Sequence, residues 1–166
     1  MSAARRLLLA GGIALALWGM GYGLWYAVFA EHQALEEIGA SLSSAFSGAA
    51  QRDVTQSAAA LLRYRKSKYV YDRQVDVHSH WIGLAMVLIV LGLCFDRVSF
   101  SEKTKLWLAA GFLAGALVFP LGVLFQVNDQ GPLPRILAIS GSALEIASLC
   151  LIALGLARRQ SSAPTS

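Results

Sequence analysis

Charge is scarce in this chain. Asp, Glu, Lys and Arg make up 14% of its 166 residues, against about 25% in a soluble domain. With 56% hydrophobic residues, the deficit excludes an ordinary soluble domain and a disordered chain alike. Cysteine is nearly absent: Cys94 and Cys150 both lie inside apolar runs, which excludes a disulfide framework or a zinc knuckle. Only three methionines occur, Met1, Met20 and Met86, too few for a soft copper(I) relay. A phosphate-cradling glycine loop, a nucleophile elbow, a zinc-protease histidine pair and a CxxCH haem motif are all missing. The net charge of +4 is carried by bases beside apolar runs. It reads as membrane flanks and gives no footprint for a nucleic acid.

What is present is four apolar stretches, 7–30, 81–95, 106–127 and 136–157, uncharged except at Glu145. A span needs about 20 apolar residues; the second stretch reaches that length as 77–95. Lipid admits only helices or closed barrels, and no alternating pattern supports a barrel. The expected fold is all-α and polytopic: an antiparallel four-helix transmembrane bundle with an extramembrane helical hairpin between helices 1 and 2. It forms one domain over 1–160, with the hairpin at 31–77 and a disordered tail at 161–166. Arg5 and Arg6 followed by an apolar run resemble a signal peptide, but the run is far longer than the usual ~7–15 residues, so an uncleaved helix is expected. Four spans put both termini on one side. The short loop and tails there carry Arg5, Arg6, Arg97, Lys103, Lys105, Arg158 and Arg159, which places them in the cytoplasm of a bacterial-type inner (cell) membrane.

In the hairpin, Leu35, Ile38, Leu42, Phe46 and Ala49 recur at helical spacing, so the first span is expected to run on as one long helix. Ser47-Gly48 and Gln51-Arg52-Asp53 suggest a bend, and a helix returns over 57–65 with Leu61 and Leu62 inward. The segment holds six acids and six bases, so it is no polybasic lipid anchor. Small residues mark packing faces: Gly12, Ala16, Gly19 and Gly23; then Gly111, Gly115 and Gly122; then Ala138, Gly141 and Ser148. Pro120 should kink the third span.

All three histidines fall near one membrane face. His32 ends the first span, and His78 and His80 open the second in the run Asp76-Val77-His78-Ser79-His80-Trp81. Imidazole is the commonest metal ligand and needs an orienting partner on its second nitrogen, for which Glu36, Asp76 and Ser79 are candidates. Two ligands on facing helices also suit a haem. The leading expectation is haem b held by His32 and His80, flanked by Trp25 and Trp81, with Arg73 or Lys68 on its propionates. The alternative is a bare transition metal (zinc, copper or iron) on His32, His78 and His80 with Glu36. Either would serve electron transfer or a respiratory-type complex with a membrane or periplasmic redox partner. A plainer account has the histidines capping helices, with Asp76 and Ser79 as N-caps. The protein is then a non-enzymatic membrane subunit that docks a partner through 31–77. Glu145, costly at mid-span by at least about 2.5–3.5 kcal/mol, suggests a third account: a small transporter working as a homo-oligomer.

Overall fold

The computed structural model describes residues 1–129 and 131–160; the expected tail at 161–166 lies outside them. The described residues form helices and no strand: α1 (Ala3–Phe29), α2 (Glu31–Ala50), α3 (Val54–Cys94), a short 3₁₀ turn (Phe95–Arg97), α4 (Glu102–Phe125) and α5 (Pro132–Gln160). Four helices are long and apolar enough to cross a membrane: α1, the apolar part of α3, α4 and α5.

Each boundary has a local cause. Ser2 caps α1 by accepting from the Arg5 amide, Asp53 caps α3 through Gln56, and Ser101 caps α4 through Thr104. The expected single helix from the first span outward is interrupted once, at Ala30 (φ −126°, ψ −34°), and the Ala30 amide still reaches the Tyr26 carbonyl. Between α2 and α3 the chain reverses through Arg52, which adopts φ 57°. Asp76 and Ser79 cap nothing, because α3 begins far upstream and runs through them for 41 residues, about 60 Å. Pro120 is accommodated inside α4.

α1 and α2 lie against α3 in one continuous register. Arg5 meets Asp96, Gly12 meets Leu88, Gly19 meets Trp81, Gly23 meets His78 and Gly48 meets Ser57. As one number rises the other falls, so the two limbs run antiparallel. The α3 face turned to this seam recurs at alternating steps of three and four: Ser57, Ala60, Tyr64, Ser67 and Tyr71, then Trp81, Ala85, Leu88 and Gly92. That is the spacing of a coiled-coil seam. On α2 the inward face is Ala34, Ile38, Ser41, Ala45 and Gly48. Small side chains bring the backbones close, and a Cβ at Gly48 would lie 2.9 Å from the Ser57 amide nitrogen. The large apolar residues are turned outward instead: Leu35, Phe46, Leu61 and Leu62 are exposed, where Leu61 and Leu62 were expected inside.

α4 and α5 form a second antiparallel pair. Gly122 opposes Ala138, Gly141 opposes Phe119, Gly115 opposes Glu145 and Gly111 opposes Ser148. At Gly122 and Gly141 the nearest atoms across the seam are backbone, so only glycine permits the approach. α4 packs on α1 and α3 through its other face, whereas α5 packs along α4 alone. The core follows from this order: Leu8, Trp81, Leu88, Phe95 and Phe112 are fully buried where α1, α3 and α4 meet.

Candidate functional site

α1 and α3 set the surroundings of the second histidine. Because Gly23 carries no side chain, the His78 ring fits closely against α1 there, and its Nδ1 donates to the Gly19 carbonyl at 2.9 Å. One turn nearer the cytoplasmic-expected end, Trp81 is 1% exposed. It takes the edges of Trp18 and Tyr22, with ring centroids 5.9 and 5.2 Å away. Tyr22 donates to Gln74 across the same seam. His78 and Trp81 thus share the α1–α3 seam with Tyr22, a residue the sequence did not single out; its signal was the seam spacing that also holds Gly19 and Tyr26.

His80 is two residues on and points elsewhere, as 100° per residue requires. Its Nδ1 donates to the Asp76 carbonyl at 2.6 Å, and its ring stands edge-on to Phe119 of α4 with centroids 4.7 Å apart. His32 is on neither site. Its side chain is 82% exposed and its Nε2 pairs with Glu36 Oε1 at 2.9 Å. Nine residues of helix separate it from Gly23, where His78 sits, a rise of about 13 Å. The structure therefore brings His32 to Glu36, His78 to α1 and His80 to α4, and does not gather the three imidazoles. Among the described residues no group of three or more His, Cys, Asp or Glu is placed to hold a metal ion.

The other expected site residues have local partners. Arg73 pairs with Asp76 at 3.3 Å and lies over the Tyr69 ring at 5.1 Å. Lys68 pairs with Asp72 at 2.8 Å. Trp25 is half exposed and leans on Tyr22, 5.8 Å between centroids. Such exposed pairs within one helix are individually weak; they tie neighbouring turns of α3 to each other.

The part of α3 ahead of its span and α2 form a limb with large apolar side chains on its outer surface. Val54, Leu62 and Phe46 are 79%, 69% and 68% exposed, and Val54, Ala58 and Leu61 line one recess with Ala49 and Arg52 at the turn. Comparison of the chain with protein-family models, with curated proteins and with solved structures gives no match.

Proposed function

We propose that the protein is a non-enzymatic membrane subunit whose working part is the α2–α3 limb, a rigid extramembrane hairpin that docks a partner protein. The observation that carries this reading is α3 itself, one unbroken helix from Val54 to Cys94. Its last part is apolar enough to span. The remaining residues, 54–80, rise about 40 Å. With α2 along them, they present exposed Val54, Leu62 and Phe46. Exposed apolar side chains beyond the span mark an interaction site, and a preformed helical limb lowers the ordering cost of binding. Both termini lie in the cytoplasm of a bacterial-type inner membrane, and the limb points outward.

The test is a photoreactive amino acid placed at Leu62 or Phe46 in cells, with Ile139 on α5 as the lipid-facing control. A discrete protein adduct from the limb positions, lost on Leu62→Asp, is expected. Lipid adducts alone from all three positions would remove the docking function.

A second reading retains the cofactor. His78 and His80 each commit Nδ1–H to a backbone carbonyl, the arrangement that fixes the tautomer and leaves Nε2 as a free lone pair. Each is then suited to act as a single ligand to haem b or a transition metal, without His32. A Soret band or stoichiometric metal in purified protein, abolished by His80→Ala or His78→Ala, supports this reading; a colourless, metal-free protein from haem-replete cells removes it.

A further inference from the structure

We infer that Glu145 is a proton-binding site, a carboxyl that takes up and releases a proton from inside the α4–α5 seam. It lies at the centre of the α5 face turned to α4, between Gly141 and Ser148, and is 6% exposed. Its Oε1 is buried with no hydrogen-bond partner among the described residues. Room for the side chain comes from α4: a Cβ at Gly115 would lie 2.7 Å from the Glu145 Cγ and 2.8 Å from the Gly141 carbonyl oxygen.

Among the described residues no countercharge faces it. α4 is the element packed against this seam, and from Leu106 to Phe125 it carries no ionisable side chain. On α5 itself the neighbouring ionisable group is the Cys150 thiol, which is exposed on another face. The nearest bases along the two helices are Lys105, ten residues from Gly115, and Arg135, ten residues from Glu145. Each is about 15 Å away along its helix, which puts the carboxyl midway through a bilayer core of about 30 Å.

An acid kept for structure would use both oxygens. Here Ser148, one turn on and buried, turns its hydroxyl toward Gly111, where a Cβ would come within 3.1 Å of it, and leaves Glu145 unbonded. An isolated carboxylate in such a place is strongly disfavoured, and a neutral acid is not. The ligand that resolves the difference is a proton. A metal ion would need further oxygen or nitrogen ligands, and no such group of residues surrounds it. A partner helix would need the side chain accessible.

The experiment uses the full chain in phosphatidylcholine vesicles, treated with the apolar reagent dicyclohexylcarbodiimide, which reacts with the neutral acid, or with a water-soluble carbodiimide. Peptide mass spectrometry reads the adducts. The apolar reagent is expected to modify Glu145, with the yield falling at least about tenfold between roughly pH 6 and pH 9 as the carboxyl gives up its proton. The water-soluble reagent should spare it, and Glu145→Gln should carry no adduct at residue 145. In wild-type protein the infrared band of a neutral carboxylic acid should fade over the same range, a readout that stands even if the variant does not fold. No Glu145 adduct at any pH, or an adduct and band that do not change with pH, overturns the proposal.

Discussion

At the scale of single residues, backbone geometry separates glycines and turn positions that are replaceable from those that are not. Arg52 holds φ 57°, a left-handed conformation that costs a non-glycine residue about 1–2 kcal/mol. Arg52→Gly is therefore expected to raise stability by about 1 kcal/mol, and Arg52→Val to lower it, in unfolding followed by circular dichroism in mild detergent. A Cβ at Gly39 meets nothing within 4 Å, whereas at Gly141 it meets the Phe119 backbone. Gly39→Ala should gain up to about 1 kcal/mol from helix propensity. Gly141→Ala should lose about 1–3 kcal/mol, because α4 must move away. Equal effects at the two sites would contradict the α4–α5 register. The histidines belong to this scale too. Sequence spacing led to one membrane level for His32, His78 and His80, but the seam puts His78 against Gly19 and His80 against Phe119, with His32 apart on Glu36.

At the scale of elements, α3 is the decisive object. The sequence showed an apolar end and a polar, tyrosine-rich beginning, which reads as a short returning helix over 57–65 followed by a separate span. The unbroken helix was hidden because its seam residues are Ser57, Ala60, Ser67 and Gln74, small or polar types that do not register as a hydrophobic stripe. Close helix approach in the seam favours small side chains, and so the leucines that looked like core (Leu61 and Leu62) face outward. Ser67→Pro should break this helix at a cost of about 3 kcal/mol or more. The limb cross-link from Leu62 should then disappear, while the Arg5–Asp96 end and the spans keep their helical signal by circular dichroism. A cross-link that survives the proline would mean that rigidity of the limb is not what presents the docking surface.

At the scale of the whole molecule, the chain is two antiparallel helical pairs joined through α4, with α5 on the outside. α4 spends one face on α5 and the other on α1 and α3, so the helix contacts of α5 are mainly with α4. The topology also brings three points of the chain to one end: the N-terminus, the turn at Asp96 and the α5 segment at Gly155 lie together, tied by Arg5–Asp96 at 2.7 Å and by the Ser99 amide on the Gly155 carbonyl at 3.0 Å. With Cys94 and Cys150 replaced by serine, a cysteine at Val54 should react with a membrane-impermeant maleimide in intact spheroplasts. A cysteine at Ser2 should react only after lysis. Reaction of both in intact cells would contradict the odd number of crossings between them.

The sequence by itself determined the helical class, the number of apolar helices and the isolation of Glu145 in lipid-compatible surroundings, because those depend on composition and run length. It also placed the small-residue faces of α4 and α5, whose glycines can serve no other purpose at that spacing. Tertiary structure alone decided which way each imidazole turns, that 54–80 continues the span as one unbroken helix and that Glu145 Oε1 has no hydrogen-bond partner among the described residues. Those outcomes depend on helix phase and on which neighbour stands opposite, and a rotation of one residue, 100°, exchanges one neighbour for another.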